Sequence, residues 1–368
     1  MDKATGMSGL QKTARKKTRN PAIEICRLIA SFFVVFIHYG FPGEFGEVIN
    51  CLARFAVPFF FVVSGYFVYH ADAFAVKKRM IGILKLNIYA TLLYVLWGAC
   101  QNEYFADQGR IAWLAGALSN YHLSQWLLYC KNPFAAHLWY LTAILTCYAV
   151  VYVYARWIGK TYYYRPLYIV SLSLFAVHFV LTSLAAMTDM NVPSILYRNA
   201  WFLGIPLFNL GIFIREYQDR IIETYRLSTK KLMLMIAFGA AFSVVQWQGT
   251  GNVEMPVGTL FEVIALVLLL VSVPSEIQRN DMLCRFTSGF GNLSAYIYIT
   301  HLFWRDIYTK YIRNRLLYAL GETVIDYLSP VLVVLISVGT GVVWLILKAS
   351  AEKVLRLLSD SSGKNAGR

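Results

Sequence analysis

Charge is scarce in this chain. Asp, Glu, Lys and Arg make up 15% of its 368 residues, where a soluble protein carries about 25%. With 58% hydrophobic residues and a mean hydropathy of +0.52, that deficit excludes an ordinary soluble domain. It points to a polytopic membrane protein. Acids are the scarcer sign: 20 Asp and Glu stand against 34 Lys and Arg, for a net charge of +14. Such an excess reads first as a topology signal, because Lys and Arg collect on cytoplasmic loops. No nucleic-acid partner is expected from it. The six cysteines (Cys26, Cys51, Cys100, Cys130, Cys147 and Cys284) are scattered, with no CxxC pair and no metal-ligand spacing. No metal site and no disulfide framework are expected, although Cys100 and Cys130 flank one outer loop and could meet. Internal repeats, low-complexity tracts and a separate soluble domain are all missing. The first apolar run lacks a small-residue cleavage pattern and is long enough to span, so it reads as a span rather than a removable signal.

What is present is a series of ten apolar runs near the roughly 20 residues that a crossing needs. They cover 22–40, 51–70, 80–100, 137–157, 166–186, 199–214, 231–247, 255–273, 292–308 and 329–348. With the N-terminus inside, 24 of the 34 Lys and Arg fall on inner segments and 6 on outer loops. Both termini are therefore expected in the cytoplasm. The fold class is an all-α membrane helix bundle, multi-pass in the plasma or inner membrane. It divides into a basic tail at 1–20, a membrane domain at 21–350 and a second tail at 351–368. The basic run Lys12–Arg19 is placed to touch anionic lipid. Residues 101–136 exceed an ordinary connection and are rich in Tyr, Trp and His. They read as an interfacial helix or an outer cap.

The first run carries the sharpest signal. Arg27 and His38 are eleven positions apart, which returns to within about 20° of the same helix face at a rise of roughly 16 Å. Glu24 and Ser31 share that face. Ionisable groups at bilayer depth are costly and turn toward protein interior or water. This stripe therefore pairs a permanent cation with the side chain that exchanges protons near neutral pH.

Further polar groups fit around it. Arg54 opens the second run from the side where His38 ends, so the two face each other across a short loop. Pro58 loosens a backbone turn there, and Ser64-Gly65 permits close helix approach. His137 begins the fourth run in His137-Leu-Trp139-Tyr-Leu141. Glu262 sits mid-span in the eighth and needs a partner, for which Arg27 or Arg54 is the obvious kind. Ser294, Tyr298, His301 and Arg305 form a second stripe in the ninth. Lys77, Lys78 and Arg79 stand on the first inner loop. Each group also has an ordinary reading. A buried His can be a hydrogen-bonded packing residue, Arg54 can snorkel, and His137 can be an interface anchor. Glu262 can serve a structural ion pair, and the inner cations can be topology signals alone. Three His, two Arg and a Glu in one bundle exceed what packing needs.

These stretches resemble the acyltransferase 3 family of integral membrane acyltransferases over about residues 20–350. The residues that carry the resemblance are Arg27-x10-His38, the run Arg54-Phe-Ala-Val-Pro-Phe-Phe-Phe-Val-Val-Ser-Gly-Tyr66, His137-Leu-Trp-Tyr-Leu141, Asn209-Leu-Gly211 and Leu293-Ser-Ala-Tyr-Ile-Tyr-Ile-Thr-His301. The resemblance implies transfer of an acyl group, commonly acetyl, from cytoplasmic acyl-coenzyme A to an acceptor at the outer face. Acceptor classes in such a family include envelope carbohydrate, lipid-linked sugar and small molecules. One departure is clear. Relatives often carry Arg-x-x-Arg on the first inner loop, and here Arg79-Met-Ile-Gly82 lacks the second Arg, with Lys77, Lys78 or Lys85 as point-charge substitutes.

The expected roles follow. Arg27, Lys78 and Arg79 hold the coenzyme A phosphates. His38 is general base on the acceptor hydroxyl. Arg54, or His301 as a donor, stabilises the oxyanion. Glu262 orients an Arg or His. His137, Trp139, Ser294 and Tyr298 contact substrate. Direct transfer is favoured because Ser31, Ser64 and Ser294 lack a nucleophile-elbow pattern; an acyl-His38 intermediate is the other route. The rival class is a transporter or exporter with His38 and Glu262 as a proton relay, although no pair of broken spans in matching halves is seen. A sensor module using the fold without chemistry is a third.

Overall fold

The structure is a computed structural model. It describes residues 20–365 apart from 102–108, 159–163, 189–191 and 252. The basic run at 12–19 lies outside the described residues. Among the described residues the chain is helical throughout, with no strand. The order is α1 (Pro21–His38), α2 (Gly43–Ala53), α3 (Ala56–Tyr66), α4 (Ala73–Cys100), α5 (Gly109–Ala117), α6 (Asn120–Tyr129), α7 (Trp139–Ile158) and α8 (Arg165–Met187). There follow α9 (Ile205–Thr224), α10 (Thr229–Thr250), α11 (Val257–Val271), α12 (Ser275–Gln278), α13 (Asp281–Thr287), α14 (Phe290–Ile307), α15 (Arg313–Leu320) and α16 (Glu322–Asn365).

Local chemistry fixes the starts that matter for the site. Asn20 caps α1 by accepting from the N–H groups of Ala22 and Ile23, and Pro21 fills the first helical position. Asn199 accepts in the same way from Trp201 and Phe202, opening a π-helical turn at Ala200–Gly204 that feeds α9.

Seven helices are long and apolar enough to cross a membrane, with α2 and α3 counted as one unit. This is a multi-pass membrane protein. All ten apolar runs fall on helices. Three of those helices miss that length-and-composition mark: α11 has 15 residues, α9 ends in a charged turn after Ile214, and α14 carries the second polar stripe. Run 51–70 is not one straight helix. It breaks at Arg54–Phe55 between α2 and α3, because Pro58 has no N–H to give the Arg54 carbonyl. The segment read as a tail at 351–368 continues α16 as far as Asn365, since Ala351–Leu358 consists mostly of good helix formers. Residues 101–136 hold the short helices α5 and α6, as a cap would. None of the six cysteines is in a disulfide, and the pair that could have met stays apart: Cys100 is exposed and Cys130 buried.

Glycine sets two of the closest crossings. A Cβ on Gly65 would overlap the Phe208 carbonyl oxygen, and one on Gly211 would overlap that of Val62, so α3 and α9 touch backbone to backbone. Asn209 donates to Ser171 Oγ at 2.7 Å beside this crossing. The Asn209-Leu-Gly211 motif is thus a packing device. Helices α1 and α14 run parallel, with Ser294 Oγ donating to the Arg27 carbonyl at 3.0 Å. That pairing brings the two polar stripes together. One end of the bundle, at the starts of α1, α4 and α14, carries Arg79 and the ends of α3 and α9; we call it the basic rim. The other, at the ends of α1 and α14, is the far rim.

Candidate active site

Three cavities adjoin along the seam between α1, α3, α4, α7 and α14. The one at the far rim holds about 50 Å³ and is walled by His38, Arg54, His137, Trp139, Arg198 and Glu254, among others. A middle cavity of about 150 Å³ is lined by Arg27, Phe60, Ser64, Tyr148 and Ser294. Tyr140 and Tyr298 belong to both walls. The third, toward the basic rim, holds about 1020 Å³ between α4, α14 and α16, with Arg79, Lys85 and Lys348 as its cations and Tyr89, Trp304 and Trp344 among its aromatics. It shares Ile83, Leu86, Tyr148 and Ala295 with the middle cavity.

At the far end three imidazoles meet. The His38 ring lies 5.1 Å from His301 and 6.2 Å from His137 between centroids, and His137 lies 5.0 Å from His301. Two of them have tautomers fixed by their partners. His301 Nδ1 faces the Tyr298 and Ile297 carbonyls at 2.8 and 3.2 Å, and His137 Nε2 faces the Ile299 carbonyl at 3.3 Å. A carbonyl only accepts, so the nitrogen facing it carries the hydrogen. The opposite nitrogens, His301 Nε2 and His137 Nδ1, are then lone pairs, and both are buried with no hydrogen-bond partner among the described residues. The expectation of His301 as an oxyanion donor therefore fails for the neutral ring: its one N–H is committed to backbone. Among the described residues no group of three or more His, Cys, Asp or Glu is arranged to hold a metal ion.

Beside the imidazoles sits an ion triad. Glu254 bridges Arg54 at 3.5 Å and Arg198 through a short contact. Arg54 also lies over the Trp247 ring at 5.4 Å, and Trp247 Nε1 donates to Glu47 Oε2 at 3.2 Å. Burial would raise the Glu254 carboxyl, but Arg198 and Arg54 outweigh it and hold the group below the ordinary carboxylate range. Arg198 is correspondingly raised: burial works against its charge, and Glu254 more than offsets that. A buried acid flanked by two arginines leaves one net positive charge facing His38.

Glu262 is not part of this site. It accepts from Ser243 Oγ at 3.0 Å within the α10–α11 hairpin, where Gly239 and Gly258 bring the helices into contact. The arginine partner expected for it is supplied elsewhere: Arg27 pairs with Glu24 at 3.7 Å, one turn back on its own helix, and Arg54 pairs with Glu254. Lys78 is exposed and is not among the residues lining the three cavities, whereas Arg79 lines the largest while donating to the Phe67 carbonyl at 2.6 Å. Lys85 and Lys348 are the other two cations that line it. Trp139, His137, Ser294 and Tyr298 all lie in cavity walls. Sequence reasoning missed Glu254 and Arg198. The available signal was a carboxylate at the very edge of a span in a chain poor in acids.

The acyltransferase 3 profile, described as an acyltransferase domain, matches residues 20–349. The chain belongs to that family, which groups it with membrane acyltransferases. A serine/alanine racemase of Enterococcus gallinarum is similar to it at 31% identity over 143 residues. That stretch is 35% of this chain and spans only 18% of the racemase. No solved structure matches.

Proposed function

We propose that this protein transfers a short acyl group, acetyl in the simplest case, from acyl-coenzyme A to a hydroxyl of an envelope carbohydrate or related acceptor. The basic rim faces the cytoplasm and the far rim the outside, in the plasma or inner membrane. The observation that carries this reading is the succession of cavities from Arg79, Lys85 and Lys348, past Arg27, to His38. Cations without a carboxylate at the wide end suit a polyphosphate. An imidazole beside a net positive charge at the narrow end suits proton removal coupled to oxyanion formation.

In this mechanism the phosphates of the donor rest against Lys85, Lys348 and Arg79. The pantetheine arm passes Arg27, Ser64 and Ser294 and brings the thioester carbonyl toward Tyr140 and Tyr298. His38 takes the proton of the acceptor hydroxyl as its oxygen bonds to the carbonyl carbon. Arg54, braced by Glu254, faces the oxyanion that forms. Collapse breaks the carbon–sulfur bond, His38 returns the proton to the departing thiolate, and an ester and free coenzyme A result. His301, whose ring lies 5.1 Å from that of His38, packs beside it and orients it. The test uses purified protein in proteoliposomes with radiolabelled acetyl-coenzyme A. Release of free coenzyme A that needs His38 supports the reading. Flux of a small solute with no thioester consumed would overturn it in favour of transport.

A further inference from the structure

Resting on the transfer reading above, we propose that His178 is a positioning residue for the reaction. It fixes the backbone at Tyr197 so that Arg198, the next residue, draws Glu254 away from Arg54. His178 itself stands outside the walls of the three cavities of the site.

His178 is a costly choice for packing alone. Residues 166–186 hold no Asp, Glu, Lys or Arg. This imidazole is fully buried in α8 between the rings of Phe175 at 5.9 Å and Phe179 at 5.6 Å. A leucine would fill such a place without desolvating two ring nitrogens. The single N–H of the neutral ring has one destination. Nδ1 faces the Tyr197 carbonyl at 3.2 Å, and the nitrogen that faces a carbonyl carries the hydrogen. Nε2 is then a lone pair, buried with no hydrogen-bond partner among the described residues. The ring therefore serves that one carbonyl.

The peptide it holds leads directly into Arg198. The Arg198 N–H donates to the Ser194 carbonyl at 2.7 Å. The Asn199 side chain donates to the carbonyls of Ile195 and Leu196 at 2.9 and 3.1 Å. Asn199 thus ties the segment to itself, and His178 ties it to α8. The placement of Arg198 decides how Glu254 is shared. That carboxylate makes the closer contact with Arg198 and stands 3.5 Å from Arg54. With Arg198 held, Arg54 is loosely paired and keeps its charge for the oxyanion. With the Tyr197 carbonyl released, Arg198 drifts and Glu254 closes on Arg54, quenching the charge beside His38. A misplacement of about 1 Å in such a group costs on the order of 100-fold in rate.

The experiment is a double-mutant cycle in membranes from cells making the full-length chain, supplied with acetyl-coenzyme A. Free thiol is read above that of membranes lacking the protein. His178→Leu is expected to lower kcat by roughly tenfold or more with the donor KM unchanged. His178→Asn sets an amide N–H where Nδ1 stood, and is expected to stay within about threefold of the wild type. Arg198→Ala is expected to lower kcat by a similar factor to His178→Leu. Adding His178→Leu to it should cost less than about twofold more, because the two act as a unit. Losses that multiply in the double variant overturn the proposal, since a residue needed only for packing acts independently of Arg198. A His178→Leu protein with wild-type kcat overturns it as well. Should His178→Leu fail to accumulate, His178→Asn and His178→Gln decide. Only Asn places its N–H at the Nδ1 position, so Asn is expected to exceed Gln about fivefold, and equal turnover overturns the role. A wild type that releases no thiol overturns the transfer reading and this role with it, an outcome distinct from independent losses in an active protein.

Discussion

The cavity beside His38 and the cavity beside Arg79 are built from different materials. The first holds about 50 Å³, and its wall includes two histidines, two arginines and a carboxylate. The second holds about 1020 Å³, is mostly apolar and aromatic, and carries three cations with no acid. Charges in the small one are cross-linked to each other, whereas in the large one Arg79 is held by the Phe67 carbonyl and Lys85 and Lys348 stand exposed with no carboxylate in the wall. Pairing fixes position at the expense of reach, and unpaired cations keep reach. A site that must aim a proton within a fraction of an ångström needs the former. A site that must catch a flexible, charged donor is better served by the latter.

The contrast can be broken most severely at the narrow end. His38→Ala is expected to cut coenzyme A release by at least 100-fold, the lower bound for losing a positioned general base, with donor binding unchanged in a filter assay. Equal loss of binding would place His38 in the donor site instead. Glu254→Gln comes next. It leaves Arg54 and Arg198 facing each other, and is expected to cost about 3 kcal/mol of stability in thermal unfolding and to lower turnover without moving the donor KM. Its pH signature has a definite sign. The Glu254 carboxyl is depressed, so its contribution is fully present above the usual carboxylate range near pH 4 and is lost only as pH falls through the lowered value. The stability gap between wild type and Glu254→Gln should thus persist at pH 5 and close in stronger acid.

At the wide end the effects are milder and of another kind. Lys85→Ala with Lys348→Ala is expected to raise the donor KM about tenfold, the scale of a lost charge-assisted hydrogen bond, with kcat retained. Added salt should mimic this in the wild type, because exposed cations are screened more strongly than the buried Arg54–Glu254 pair. Smallest of all, Glu262→Gln is expected to leave turnover within about twofold. Its carboxylate meets Ser243 and no group of the cavities. A large loss there would reinstate the proton-relay role that its mid-span position suggested.

Much of this was legible in the sequence where local periodicity governs. Arg27 and His38 share a face because eleven helical steps close three turns, and both line the cavity series. Ser64-Gly65 marks a crossing because only a missing Cβ admits a neighbouring carbonyl. Arg54 and His38 line one cavity, but not across the short loop expected: helix α2 lies between them, and Arg54 stands at the break before α3. The Arg54–Glu254–Arg198 triad was not legible. Its members sit on three loop edges far apart in sequence, and a charge at a span edge looks the same whether it faces lipid headgroups or a buried acid. Glu262 misled for the converse reason: burial of an acid is readable from its span, but who stands opposite depends on helix pairing, and the adjacent hairpin supplied a hydroxyl. The tautomers of His137 and His301 were equally out of reach, since backbone carbonyls three-dimensionally close to a ring leave no trace in residue order.

The triad has a consequence for how the protein is made. Arg54 and Arg198 emerge from the ribosome long before Glu254 does. Until the α10–α11 hairpin inserts, two guanidinium groups stand at the bilayer without their counter-ion, so the earlier helices remain provisional. The late hairpin brings the counter-ion of both, and a nascent chain arrested before residue 254 is expected to be cut by a membrane protease faster than the full-length chain.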